Sequence, residues 1–160
     1  MKKNRFTLKN KLSFILGGSG LIGRSVSLEF VRAGSDICII DNNKKTSMGL
    51  LEELKVINPN SSFAYLDCSK MNSLESNFGN LLKQFSVPDI FINCSYPRTK
   101  NWASSSFRDI TLESYRKNID IHLNSYSWTA KRVADEMVKN RIKGSIVMTS
   151  SIYGSKAQDL

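Results

Sequence analysis

Histidine is almost absent from this 160-residue sequence, which holds only His122, and cysteine is scarce, at Cys38, Cys68 and Cys94. No two cysteines stand at C-x-x-C spacing and there is a single histidine, so a zinc site is not expected and no metal is assigned. Each cysteine falls in or just after an apolar run and reads as a buried, reduced thiol. Long hydrophobic runs are missing too. None approaches the ~20 residues that cross a bilayer, so no membrane partner is expected. The N-terminal stretch MKKNRFTLKNKLSFIL starts with basic residues, but its apolar run is short and interrupted by Lys, and no small-residue cleavage site follows. That excludes a secretory signal and leaves the cytoplasm as the expected location. Acidic residues are in the minority, 14 against 23 Lys and Arg, for a net charge of +9. Five of the bases (Lys2, Lys3, Arg5, Lys9, Lys11) precede the first apolar run, and the rest are scattered without an aromatic-interleaved stripe. This is a solvated basic surface rather than a nucleic-acid footprint, and the same charge would draw an anionic substrate or cofactor.

With 41% apolar and 23% charged residues, the chain is in the globular range and long enough for one domain. Short apolar runs alternate with amphipathic stretches. SFIL (13–16), DICII (36–40), SFAYL (62–66), VPDIFIN (87–93) and GSIVMTS (144–150) read as strands. Leu21 to Ala33, stopped by Gly34, and residues 45–57, stopped by Pro59, have helical spacing. Ser69 or Asn72 can cap a third helix running to about Phe85, and Leu112 to Lys139 reads as one long helix. Strands alternating with helices imply a parallel sheet with right-handed crossovers, covered on both faces. The fold expected is therefore α/β, a Rossmann-like, three-layer, doubly wound sheet of order 3-2-1-4-5.

LGGSGLIG (16–23) sits between the first strand and the first helix, and reads as Gly18-x-Gly20-x-x-Gly23 or Gly17-x-x-Gly20-x-x-Gly23. The early glycines permit a tight turn, Gly20 lets a pyrophosphate approach the backbone, and Gly23 lets helix and strand pack closely. Ser19, Leu21 and Ile22 complete the turn, and the helix N-terminus offers unpaired N–H groups to phosphate. Asp41 ends the second strand, 18 residues beyond Gly23, where a carboxylate can accept the adenosine ribose hydroxyls. It would also repel a 2′-phosphate, so NAD is expected over NADP, with Lys44 and Lys45 close enough to blunt the preference.

With these residues in place, the sequence resembles the short-chain dehydrogenase/reductase family over nearly its whole length. LGGSGLIG resembles the family's glycine motif, with Leu16 in place of the usual Thr. LDCS (66–69) resembles the turn whose acid and following residue contact adenine, which implies that role for Asp67 and Cys68. INCSYP (92–97) resembles the Asn-Asn-Ala-Gly motif; Asn93 matches, while Cys94, Ser95 and Tyr96 depart from it. GSIVMTSSIYG (144–154) resembles the strand that carries the catalytic serine, which falls on Ser151. The family's catalytic helix Asn falls near His122, flanked by Asp120 and Asn124. The loop NCSYPRTKNW (93–102) resembles a subgroup found with bacterial surface-sugar or flagellin modification. Arg98 and Lys100 sit there at the substrate side and would suit a phosphate- or carboxylate-bearing sugar.

The resemblance implies hydride transfer between NAD(P) and an alcohol or ketone, with a Tyr-x-x-x-Lys pair roughly 13 residues beyond the serine exchanging the proton. The sequence ends before that pair is due, and Tyr153 and Lys156, three apart, do not replace it. Residues 1–160 are accordingly read as a single NAD(P)-binding Rossmann domain, C-terminally incomplete and truncated before the last strands. As a fragment it is expected to be inactive, or else to be a non-catalytic dinucleotide-binding module or decayed remnant. Missing elements covering on the order of 1,000 Å² of apolar surface would forgo ~25 kcal/mol of gross burial, so a marginal or aggregation-prone chain is expected. Full-length relatives imply a homo-oligomer pairing through residues 112–139.

Overall fold

The short apolar runs cannot bury both faces alone, and they assemble into one parallel sheet flanked by the helices between them. The computed structural model describes residues 6–104, 106, 108–152 and 155. Along the chain these form β1 (Leu12–Leu16), α1 (Leu21–Arg32), β2 (Asp36–Asp41), α2 (Lys44–Ile57), β3 (Ser62–Tyr65), α3 (Met71–Phe85), β4 (Ile90–Asn93), α4 (Leu112–Ile119), α5 (Ser125–Lys139) and β5 (Ser145–Met148). The strand order is β3-β2-β1-β4-β5 with every neighbour parallel, as the sequence implies. Leu16 stands opposite both Ile40 and Asn93, so the C-terminal ends of β1, β2 and β4 are level. After β3 the chain returns to the other side of β1. This reversal opens a crevice at those ends.

Alternate side chains divide the core between the two faces. Phe14, Leu16, Cys38, Ile40 and Phe91 meet Leu74 and Phe78 of α3 and Val133 and Met137 of α5. Ile15, Ile37 and Ile39 meet Val31 of α1 and Leu50, Leu51 and Leu54 of α2. This is the expected three-layer arrangement. Cys38 and Cys68 are buried as expected, and burial pushes the Cys38 thiol up to about 12. Cys94 is only half-buried, because it stands at the crevice.

Three local readings change. The stretch from Leu112 to Lys139 is not one regular helix: α4 and α5 are joined by a π turn over Asp120–Asn124. The Ser125 hydroxyl donates to the carbonyls of Ile121 (2.7 Å) and His122 (3.1 Å), taking up acceptors that the wider turn frees. Neither Ser69 nor Asn72 caps α3. Lys70 holds that position without a side-chain bond, since the Ser69 hydroxyl and N–H both go to Asp67 Oδ1. The strand expected from residue 87 starts at Ile90, because Pro88 has no N–H and the Asp89 carboxylate turns to Leu12 N (3.0 Å) and Lys11 Nζ (2.8 Å). The outer face of β5 is open, with Val147 49% exposed. Among the described residues no helix is long and apolar enough to cross a membrane. Lys2, Lys3, Arg5, Tyr153 and Lys156 lie outside the described residues.

Candidate functional site

The glycine turn is folded by its own backbone. Gly17 N donates to Ile40 O (2.8 Å), Gly20 N to Gly17 O (3.1 Å) and Arg24 N to Gly20 O (2.8 Å). Gly17 has φ +72°, and a Cβ there would stand 2.6 Å from Ser95 N, so the turn touches the loop after β4. A Cβ on Gly23 would stand 2.1 Å from Gly17 O, which is why the first turn of α1 can lie on the bend. Gly20 is the N-cap of α1, no side chain caps it, and the first turn carries no acid. The N-terminal amides therefore lack intrahelical acceptors and face a cleft with a field suited to an anion. Leu21 and Ile22, 96% and 61% exposed, stand at the rim of that cleft.

At the end of β2, the nearly buried Asp41 accepts Ser19 N–H at Oδ2 (3.1 Å) and Asn43 N–H at Oδ1 (3.0 Å). The Ser19 hydroxyl meets Thr46 Oγ1 (3.0 Å) and Ser47 Oγ (3.1 Å), joining the glycine turn to α2. A carboxylate has about four acceptor sites, so Asp41 keeps capacity for ligand hydroxyls. Asp67 and Cys68 form the next part of the wall, and burial pushes the Cys68 thiol up.

At the end of β4, Asn93 is fully buried. Its Oδ1 accepts Ser95 N–H (3.0 Å) and the Ser95 hydroxyl (2.7 Å), while its Nδ2 has no partner. Cys94 and Ser95 face the cleft, and burial pushes the Cys94 thiol up as well. The Tyr126 hydroxyl donates to Ser95 O and lies 3.3 Å from Thr149 Oγ1, which ties α5 to the ends of β4 and β5. His122, on the π turn, stands edge-on to Tyr96 at 4.8 Å and to Tyr126 at 5.0 Å between ring centres. Partial burial lowers its pKa and keeps the imidazole neutral near pH 7.

One cleft of about 670 Å³ is lined by Gly17, Ser19, Gly20, Leu21, Ile22, Asp41, Asp67, Cys68, Cys94, Ser95 and Arg98. Its size is within the range of about 300–1,000 Å³ typical of ligand sites. Gly23 and Asn93 lie behind this wall, shaping it without lining it. Lys100, His122 and the exposed Ser151, past the end of β5, are outside it. The cleft also takes Asn42, Asn43, Thr46, Ser69, Tyr96 and Pro97, which sequence reasoning did not name as ligand residues. An Asp-Asn-Asn turn ahead of a helix was a readable signal for the first of these, and the place of Tyr96 in the INCSYP segment was one for Tyr96. The spacing Tyr-x-x-x-Lys does occur at Tyr96 and Lys100, but in irregular loop, where four residues do not form one helical face.

A family model described as short chain dehydrogenase matches residues 11–159. A probable NADP-dependent mannitol dehydrogenase of Yarrowia lipolytica is 30% identical over 152 residues, which is 94% of this chain and 53% of that protein. The post-translational flagellin modification protein A of Campylobacter coli is 24% identical, over 92% of this chain and 57% of that one. The crystal structure of carveol dehydrogenase from Mycobacterium avium in complex with NAD superposes with a TM-score of 0.79 at 23% identity, covering 94% of this chain and 58% of the other. The chain thus spans little more than half the length of the relatives it matches. With the family match over nearly all its residues and the sheet order, the chain belongs to the short chain dehydrogenase family.

Proposed function

We propose that this chain is the dinucleotide-binding part of an NAD(P)-dependent oxidoreductase acting on a sugar-like alcohol or ketone. The observation that carries the reading is the uncapped, acid-free start of α1 facing the same cleft as Asp41. The amides of the glycine turn would take the pyrophosphate, and Asp41 the adenosine ribose, with Asp67 and Cys68 beside the base. The other half of the dinucleotide would then run toward Cys94 and Ser95, above Asn93. NAD is favoured over NADP, because the carboxylate of Asp41 lies where a 2′-phosphate would arrive. When bound, the nicotinamide supplies the hydride chemistry.

Toward substrate, the chain would offer the hydroxyl of Ser151 and the neutral His122 to hydrogen-bond the reacting oxygen. Arg98 is the cation on the cleft wall available to an anionic sugar, while Lys100 lies two residues on, off that wall. Pairing of two copies through α4 and α5 is supported by the exposed Leu112, Tyr115 and Ile119. Because no Tyr and Lys share a helix face among the described residues, binding without turnover by residues 1–160 is the second reading.

Titration with NADH, followed by energy transfer from Trp102 and Trp128, tests the proposal. Saturable binding, tighter for NADH than for NADPH, is the expected result. No binding at millimolar NADH would overturn it.

A further inference from the structure

Among the described residues Arg24, Arg32 and Arg132 pair with carboxylates on the helical surface, while Arg108, Arg116 and Arg141 are exposed and pair with none. Arg98 lines the cleft, and among the described residues no carboxylate pairs with it. Its guanidinium lies over two rings instead, 5.2 Å from the centre of Trp102 and 5.9 Å from that of Tyr96. The two rings are perpendicular (89°), so they flank the guanidinium rather than both stacking on its flat faces, and its five N–H donors meet no carboxylate among the described residues.

The rings are themselves fixed. Trp102 meets Tyr96 at 5.8 Å and 89°, Tyr96 meets His122, and His122 meets Tyr126, whose hydroxyl is bonded to Ser95 O in the loop after β4. This ladder runs from the loop through the π turn and back to the loop after β4, and it holds a full charge at the wall of the cleft. What sets Arg98 apart from the other unpaired arginines is its place: rings hold it at the wall of a ligand-sized cleft, where an entering anion would be its first counter-ion.

We propose that Arg98 is an anion receptor: it takes a carboxylate or phosphate group of a small molecule in the cleft, framed by Tyr96 and Trp102. Lys100 is no part of this site, being exposed and off the cleft wall. The anion comes either from a substrate or from the pyrophosphate of a dinucleotide. Only this choice of source rests on the dinucleotide reading above.

Calorimetric titration of the whole chain with inorganic pyrophosphate, alone and with saturating NADH, tests the proposal. R98Q is expected to weaken pyrophosphate binding about tenfold or more, the loss of one charge-assisted bidentate contact. R98K should restore part of it. W102F, which keeps the charge but removes one ring of the frame, should weaken binding less than R98Q. Arg98 is exposed, so the thermal transition of R98Q should match that of the wild type. If pyrophosphate still binds beside NADH, the source is a substrate anion. If NADH displaces it and R98Q weakens NADH as well, the source is the cofactor. Wild-type pyrophosphate and NADH constants in R98Q, or no pyrophosphate binding to the wild type, would overturn the proposal. Failure of the wild type to bind NADH would instead sink the dinucleotide reading and leave the pyrophosphate arm intact.

Discussion

Across the cleft, the glycine turn and the loop after β4 face each other at 2.6 Å between Ser95 N and the place of a Gly17 Cβ, yet they are held in different ways. The turn is fixed by backbone bonds to Ile40 and Gly17 and by Asp41, with the Ser19–Thr46–Ser47 hydroxyls behind it. The loop leans on rings, from Trp102 through Tyr96 and His122 to Tyr126. Backbone bonding keeps its geometry through many substitutions, whereas a ring ladder is rebuilt by a single one. The first suits a ligand part that never varies, and the second suits a part that does.

The largest effect that would sharpen the contrast is in the core. Phe14, fully buried on β1 beneath the turn, should cost about 3–5 kcal/mol on replacement by Ala. Val147→Ala on the open β5 should cost about 0.5 kcal/mol or less. Urea midpoints report both, and equal losses would break the comparison. Next, Gly23→Ala forces a methyl group to within 2.1 Å of Gly17 O and is expected to cost about 1–3 kcal/mol. It should also lower NADH affinity at least tenfold, while Lys100→Ala in the loop changes neither quantity.

Asp41→Ala removes the acceptor of two N–H groups, with an expected loss of about 1–2 kcal/mol. Comparative titration should show the NADH-over-NADPH preference narrowing; an unchanged ratio would detach Asp41 from cofactor choice. The smallest effect is in the ring ladder. The pKa of His122 is lowered in the folded chain, so the unfolded chain binds its proton first. Its contribution is complete above the ordinary value near 6.5 and is lost as pH falls through the lower, folded value. The stability difference between wild type and His122→Asn, measured from pH 8 to pH 5, should therefore shift against the wild type on acidification.

The turn side was legible in the sequence because its signals are local. Buried strands are continuous apolar runs, the bend needs glycine, and Asp41 falls at a fixed distance beyond it. The loop side was less legible because its contacts are not periodic. Tyr96 meets His122 from 26 residues away, and no spacing announces that. The π turn was hidden for a related reason. Ile121, Ser125, Thr129, Val133 and Met137 recur every fourth residue, a stripe that reads as regular helix while it conceals where the winding loosens. The α3 cap was misread because Ser69 had a nearer use, closing the turn on Asp67.

The π turn also sets a counting rule for the gene. An ordinary helix turns about 100° and rises ~1.5 Å per residue, whereas the i→i+5 bonding of the π turn fits one extra residue into a single turn. Deleting one codon within 120–124 would therefore let the segment rewind as ordinary helix while Val133 and Met137 kept their places on the sheet; what would be lost is local, the seat of Tyr96 against His122. The extra residue serves the cleft and not the core, so the core sets no bar to its removal.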